Sequence, residues 1–283
     1  MTASSPTIVS VDLRVEPVDE VLKRVERALG VRVDPETVVR KRRTVGGRTD
    51  RNTWVRIERR PLQKARGQSW NGTECAAVLD GVAKPAWLQA VSWSDTAGGA
   101  MWRADETELL PGEPVGADAV LTLSDEWWEA LNLSLDALAA QQTTRVATPD
   151  TVAITQAGVT HAITEAFPDV ADTAIREWTP AHADLNWANV TAPKFCLFDW
   201  EDWGMAPRGL DAAWLWGNSL AFPELAERIQ RERGQDLQCR DGKLMSLFYC
   251  TKILGPHAYP GDPRVELART ETERIAAELN AGG

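Results

Sequence analysis

The chain has 283 residues, of which 43 % are hydrophobic and 25 % are charged, the balance of a globular protein with one large domain or two small ones. Its net charge of −10 argues against broad binding to nucleic acid, and no apolar run is long enough to span a membrane. The N-terminus lacks a secretory signal pattern, and the four cysteines form no Cys-x-x-Cys pair. We therefore expect a cytoplasmic protein with reduced thiols and no zinc site.

The N-terminal third is predicted to contain one helix followed by short strands. Apolar residues recur at helical spacing over residues 18–29, and the pattern stops at Gly30. Two β-branched segments, Thr37–Val45 and Thr53–Glu58, flank the letters GGRTDRN, which is typical of a β-hairpin. A short helix and two further strands are expected at residues 72–82, 86–93 and 99–110.

The pattern changes after the Pro/Gly-rich letters LPGEPVG at residues 110–116. Helical periodicity then dominates, interrupted by a short strand ending near His182 and by the apolar letters KFCLF, which run into Asp199 as a second strand. The expected helices cover residues 124–142, 151–167, 209–221, 223–234, 241–254 and 264–280. We therefore predict an α+β protein with a strand-rich part in residues 1–107 and a mostly helical part in residues 108–283.

The polar residues on either side of KFCLF have the types and the order that phosphoryl transfer from ATP requires. A carboxylate must orient the attacking hydroxyl, and oxygen ligands must hold Mg²⁺ against the phosphates. The letters HADLNWAN place Asn189 five positions after Asp184, as in the kinase catalytic loop, and ten residues later comes Asp199. Polar turn residues flanking a buried strand are the alternative, and the matching order and spacing favour the functional interpretation.

This stretch resembles the aminoglycoside phosphotransferase family, whose members have a kinase-like fold. That family commonly has a His-Gly-Asp-Leu-His-x-x-Asn loop and an Ile-Asp-Trp-Glu metal motif, where this chain has HADLNWAN and FDWED. The resemblance implies that Asp184 is the catalytic carboxylate and that Asn189 and Asp199 bind Mg²⁺. It also implies that His182 braces the loop without reacting.

Three further positions bear on the resemblance in the C-terminal half. Ala183 replaces the usual Gly, and Asn186 replaces the second His, but neither change removes a metal ligand or the base. Protein kinases place Arg at the position of Ala183 to bind a phosphorylated activation loop, so the small residue favours a small-molecule kinase. Asp211, in GLDAAWLWGNSLA, matches the family's Asp that helps to anchor the following helix.

The N-terminal third resembles the nucleotide-binding lobe of the family more weakly. The residues implied to lie near the nucleotide are Gly46, Gly47, Arg56, Glu74, Glu108 and Leu109. The two glycines would form the turn over the phosphates, the helix glutamate Glu74 would pair with a strand cation, and Glu108 and Leu109 would form the adenine-binding hinge. Arg56 and Lys64 are alternatives for the strand cation, and Arg56 is favoured because its planar fork can bind phosphate oxygens.

The resemblance implies a two-lobed, protein-kinase-like α+β fold with ATP in the cleft between the lobes. The implied reaction is Mg²⁺- and ATP-dependent phosphorylation of a hydroxyl on a small molecule, with an antibiotic such as an aminoglycoside as the leading acceptor. The predicted acceptor contacts are Glu201, Asp202 and Trp203, which follow the metal-binding Asp199. The two acidic residues and the negative net charge of the chain favour a cationic acceptor.

Several other functions are weighed against this one. A kinase for a sugar or an amino alcohol and a nucleotide-binding pseudokinase keep the same fold and stay open. A protein kinase is disfavoured by the short stretch that follows Asp199. Metal-dependent hydrolysis would not explain the hinge, and the sequence has no Gly-x-Ser-x-Gly elbow of a serine hydrolase. The pattern gives no prediction of the oligomeric state.

Overall fold

The structure is a computed structural model that describes residues 11–63, 65, 67–95, 98–116, 122–255, 259 and 261–281. The chain divides into two compact units, of which unit 1 comprises the residues up to Ala77 and Pro85–Leu110, and unit 2 comprises Val78–Lys84 and the residues from Pro111 onward. The main division thus falls after residue 110, where the sequence predicts it after residue 107. In the described part of the chain, no helix has the length and apolar content needed to cross a membrane.

Unit 1 is built on one antiparallel sheet. Its strands are β1 (Val39–Arg40), β2 (Thr44–Arg48), β3 (Thr53–Pro61), β4 (Trp87–Asp95) and β5 (Ala100–Glu108), in the order β1-β2-β3-β5-β4. Its helices are α1 (Asp19–Leu29) and the short α2 (Gly72–Cys75). The first predicted β segment, Thr37–Val45, is divided in two by a turn at residues 41–43, where the N–H of Lys41 donates to the carbonyl of Thr44 at 2.8 Å.

The core of unit 1 lies between α1 and the sheet. Val25 and Leu29 on α1 are buried, and they belong to the same apolar cluster as Val45, Val55 and Ile57 on the central strands. Burial of each such side chain stabilises the fold by roughly 1.5–3 kcal/mol. The helical and alternating patterns in the sequence therefore point to the same core.

Unit 2 is mostly helical. Its helices are α3 (Asp125–Ala139), α4 (Gln156–Ala166), α5 (Leu210–Asn218), α6 (Pro223–Glu232), α7 (Gly234–Leu237), α8 (Arg240–Leu254) and α9 (Val265–Ala281). Two small antiparallel sheets pair β6 (Glu113–Pro114) with β8 (Thr191–Ala192) and β7 (Trp178–Ala181) with β9 (Gly204–Pro207). Helix α5 is buried along Leu210–Gly217 and packs on α6 and α8, as its apolar sequence predicts. The predicted α+β fold class is therefore confirmed.

The KFCLF segment is not a strand, although the sequence predicts one. Leu197 makes a single β-bridge with Val190, and its N–H donates to the carbonyl of Ala83 at 2.8 Å. The N–H of Phe198 donates to the carbonyl of Asn189 at 3.0 Å. The segment is apolar because Phe195, Cys196 and Leu197 are buried. The carbonyl of Cys196 accepts the N–H of Thr191 on β8 at 3.1 Å, and these bonds form a single bridge instead of an extended ladder.

Candidate active site

The two halves of the predicted motif are attached to the same two-stranded sheet in unit 2. The catalytic loop starts directly after β7 and ends in a 3₁₀ turn at Trp187–Asn189. The segment with Asp199 leads into β9, and β7 and β9 pair with Ala181 opposite Gly204. The pairing of β7 with β9 thus brings the start of the catalytic loop close to the end of the segment that contains Asp199.

Two amide side chains from the same loop orient the Asp184 carboxylate. Asn189 Nδ2 donates to Asp184 Oδ2 and to the Asp184 carbonyl, both at 2.8 Å. Asn186 Nδ2 donates to Asp184 Oδ1 at 3.1 Å, while Asn186 Oδ1 accepts the N–H of Ala188 at 2.9 Å. The sequence predicts a role for Asn189 but none for Asn186, which holds the carboxylate from two positions downstream.

The oxygens around Asp184 fit a hard divalent cation. Burial raises the pKa of Asp184, and the negative charge of Asp199 raises it further, while the bonds from Asn189 and Asn186 oppose the rise. A divalent cation between the carboxylates of Asp184 and Asp199 would offset the repulsion between their negative charges. Because both amide hydrogens of Asn189 point to Asp184, its oxygen Oδ1 is the atom left to bind a cation, and Mg²⁺ prefers carboxylate and amide oxygens.

His182 connects the catalytic loop to the metal motif. Its ring is fully buried, and this burial lowers its pKa, so the ring is neutral at pH 7. Nε2 lies 3.0 Å from the carbonyl oxygen of Phe198, the residue before Asp199, so the neutral tautomer that donates from Nε2 fits. The ring also packs edge-on against Trp200, with 4.7 Å between the centroids. These contacts suit a bracing residue, which is the role predicted for His182.

Asp211 holds the start of the loop from the first turn of α5. Its two carboxylate oxygens accept the backbone N–H groups of His182 at 2.7 Å and Ala183 at 2.8 Å. Ala183 has φ +68°, and Asp199 has the same value, so both motif halves contain a left-handed residue that costs free energy. Asp211, which was predicted to anchor its own helix, therefore also secures the strained turn next to Asp184.

The two glycines predicted to cover the phosphates lie inside β2, both buried, and not in the hairpin turn. A Cβ on Gly46 would lie 2.7 Å from the Trp54 ring, and one on Gly47 would lie 2.6 Å from Val33 Cγ1. Close packing thus explains both glycines. Phosphate contact by these residues stays a prediction.

Among the described residues, Arg103 on β5 forms an ion pair with Glu74. Arg103 Nη2 lies 3.0 Å from Glu74 Oε2 and 2.6 Å from Asp105 Oδ1. Arg56 is on β3, with its Nη1 3.7 Å from Glu58 Oε2, while Lys64 lies outside the described residues. Sequence reasoning missed Arg103 because the pairing depends on how β5 is placed in the sheet.

The predicted hinge residues stand at the end of unit 1. Glu108 is the last residue of β5, and its N–H donates to the carbonyl of Ala86 at 2.9 Å. Leu109 follows directly, one residue before the division between the units. Adenine contact by these two residues stays a prediction.

Glu201, Asp202 and Trp203, the predicted acceptor contacts, interact with Arg145 and Thr148. Asp202 Oδ1 accepts a bond from Thr148 Oγ1 at 2.5 Å, and its carbonyl accepts the N–H of Thr148 at 2.9 Å. Trp203 is only 2 % exposed, with the Arg145 guanidinium 5.1 Å above its ring. The carbonyl of Glu201 accepts a bond from the same guanidinium at 3.5 Å. Acceptor binding by these three residues stays a prediction.

A cavity of about 330 Å³ opens beside Asp184 within unit 2. Its wall includes Asp184, Trp214, Tyr249 and Lys252, and the residues that line it do not include Glu201, Asp202 or Trp203. Ligand pockets usually measure about 300–1,000 Å³, so this cavity suits a small molecule or one ring of a larger one. The one sequence signal for it is that Tyr249 and Lys252 are three positions apart on α8 and share a face.

Several solved structures with a similar fold are small-molecule kinases. Aminoglycoside 2′-phosphotransferase-IIIa in its GDP complex aligns with 93 % of this chain and 99 % of its own, at a TM-score of 0.56 and 13 % identity. The fold is that of the protein-kinase-like small-molecule phosphotransferases. Amicoumacin kinase with AMP-PNP and Ca²⁺ aligns with 92 % of this chain and 94 % of its own, at a TM-score of 0.54 and 13 % identity.

A choline kinase from Streptococcus pneumoniae also aligns, over 92 % of this chain and 100 % of its own, at a TM-score of 0.53 and 12 % identity. No protein-family model matches the sequence, and no curated protein matches it either. The resemblance to aminoglycoside phosphotransferases that the motifs indicate is thus confirmed in the fold. At identities this low, the likeness concerns the fold and not the substrate.

Proposed function

We propose that the protein is a small-molecule O-phosphotransferase that uses a nucleoside triphosphate and Mg²⁺. The observation that carries the proposal is the Asp184 carboxylate, which Asn186 and Asn189 orient by hydrogen bonds from the same loop. The phosphotransferase fold around this cluster supports the same conclusion.

In the proposed reaction Asp184 accepts a hydrogen bond from the acceptor hydroxyl and takes its proton. The hydroxyl oxygen forms a bond to the γ-phosphorus while the bond from that phosphorus to the β–γ bridging oxygen breaks, so ADP leaves with the electron pair. Mg²⁺ held by Asn189 Oδ1 and the Asp199 carboxylate would neutralise charge on the phosphates. Asn186, His182 and Asp211 keep the loop in position.

The nucleotide is proposed to bind unit 1. Glu108 and Leu109 would offer backbone groups to the base, and the ion pair of Arg103 with Glu74 would take the place of the expected pair with Arg56 or Lys64. The similar structures carry either an ATP analogue or GDP, so both ATP and GTP are candidates.

The acceptor is proposed to be an antibiotic or a small metabolite with a free hydroxyl. The similar structures include an aminoglycoside phosphotransferase and an amicoumacin kinase on one side and a choline kinase on the other. The cavity beside Asp184 has room for either a small acceptor or one ring of an antibiotic.

A coupled ADP-release assay tests the proposal, with Mg-ATP and Mg-GTP against hydroxylated antibiotics and metabolites. Turnover on one acceptor should be lost in Asp199→Ala and kept in Glu273→Ala, which removes an exposed carboxylate on α9. A nucleotide-induced rise in melting temperature without turnover would favour a pseudokinase. If no nucleotide raises the melting temperature, the proposal is wrong.

A further inference from the structure

The acceptor cavity contains a lysine whose charge is held in place by three partners. Lys252 Nζ lies 4.3 Å from the centroid of the Trp214 ring and 5.6 Å from that of Tyr249. It also lies 2.5 Å from Asp150 Oδ2. Both rings are buried and line the cavity with Lys252, so the ammonium rests on an aromatic part of the cavity wall.

The aspartate partner is held less firmly than the lysine. The Asp150 side chain is 66 % exposed, whereas that of Lys252 is 33 % exposed. Asp150 and the β-branched Thr151 have φ +57° and +66°, so two successive residues occupy the left-handed region that disfavours such side chains. Lys252, by contrast, projects from the regular helix α8. The carboxylate of Asp150 is therefore the easier of the two charges to displace.

This asymmetry predicts which charged ligands the cavity accepts. The Lys252 ammonium already lies over the face of the Trp214 ring, where a cationic ligand would otherwise bind. A cationic ligand would therefore have to displace Lys252. A carboxylate would need only to replace the carboxylate of Asp150, and the present pair shows that a carboxylate fits against this ammonium. Asp184 lines the same cavity, so one molecule can contact both residues.

We propose that the acceptor is a hydroxylated carboxylic acid whose carboxylate binds Lys252 while its hydroxyl faces Asp184. The inference rests on the proposed function and makes Lys252 a specificity-determining residue. It differs from the cationic acceptor that the sequence favours through Glu201 and Asp202. It also gives Asp150 a role as an internal competitor that leaves Lys252 when the acceptor binds.

The test uses three matched sets of probes on the full chain with Mg-ATP: hydroxy acids, their primary amides and the corresponding amino alcohols. ADP release gives KM for each, and saturation-transfer NMR gives binding without turnover. In Lys252→Gln the KM for hydroxy acids should rise roughly tenfold to a hundredfold, the usual worth of a charged hydrogen bond, while that for amides stays unchanged. Asp150→Asn should lower the KM for hydroxy acids, because the competitor is removed.

Lys243→Gln is the matched control, because Lys243 is on the same helix and pairs with Glu278 at 2.9 Å. A kinase that prefers amines or amides, or whose KM for acids is the same in Lys252→Gln, would overturn this inference and leave the proposed function intact. Failure of every hydroxy acid to bind at millimolar concentration would also overturn it. Loss of nucleotide binding and of all turnover in the wild type would overturn the proposed function instead.

Discussion

Replacing Asp211 should release the catalytic loop, because its carboxylate accepts two buried backbone N–H groups at 2.7 and 2.8 Å. Asp211→Ala leaves both groups unsatisfied, and each costs about 1–3 kcal/mol, so the free energy of unfolding should fall by about 2–6 kcal/mol. Asp211→Asn keeps one acceptor oxygen and turns an NH₂ group toward the other N–H, so it should cost about 1–3 kcal/mol. Burial raises the pKa of Asp211, and the neutral amide avoids burying a charge, which favours the low end of that range.

Asp241 provides a matched control for this experiment. It is 4 % exposed, it lies in the first turn of α8, and its carboxylate accepts the backbone N–H groups of Arg176 at 3.0 Å and Glu177 at 2.6 Å. Asp241→Ala should therefore lose an amount of stability similar to that of Asp211→Ala but act upstream of β7, outside the loop that contains Asp184.

Urea unfolding gives the stability of each variant, and ADP release below the unfolding transition gives kcat. We expect kcat to fall clearly more in Asp211→Ala than in Asp241→Ala at a similar loss of stability. Equal kcat values for the two variants would refute the assignment of Asp211 as the residue that positions the loop.

Three further predictions concern the site and the core. Asp184→Asn should lower kcat about 10²–10⁴-fold in the ADP-release assay. Because burial raises the pKa of Asp184, wild type should lose stability as the pH rises from the ordinary Asp value of 3.8 through that raised pKa, whereas the Asn variant should not. The melting temperature of Asp184→Asn relative to wild type should therefore increase with pH over this interval, and a relative increase on acidification would contradict this sign. Gly46→Ala should cost about 1–3 kcal/mol in urea unfolding because its Cβ meets Trp54 at 2.7 Å, whereas Gly116→Ala, with nothing within 4 Å, should be nearly neutral. Leu131→Ala, at a fully buried position of α3, should lower the free energy of unfolding by about 2–5 kcal/mol. A smaller loss would mean that the side chains around Leu131 are loosely packed.

The helices and the central motif could be predicted because their signals are local. The apolar stripe of α1 stops at Gly30 in the sequence, and the helix ends at Leu29 in the structure. Likewise, the spacing from Asp184 to Asn189 predicts that the two side chains act together, and they are hydrogen-bonded at 2.8 Å. A short loop leaves few ways to arrange residues five positions apart, so sequence spacing already constrains the geometry.

The remaining features could not be predicted because they depend on pairings between distant segments. The partner of Glu74 is Arg103, a choice that is fixed by the position of β5 in the sheet and not by proximity in sequence. The KFCLF segment has the composition of a strand, but it pairs with residues 189–191 through one β-bridge and not through an extended ladder. The contact of Lys252 with Trp214 brings together α8 and α5, and no periodicity encodes that approach.

Phosphorus NMR of a reaction with Mg-ATP and an accepted hydroxyl compound tests the central claim most directly. The account predicts that the γ-phosphate signal of ATP is replaced by that of a phosphate monoester of the acceptor, and that Asp184→Asn slows this change about 10²–10⁴-fold. Formation of inorganic phosphate alone, or an unchanged rate in Asp184→Asn, would contradict the assignment of Asp184, Asn189 and Asp199 as the phosphotransfer site.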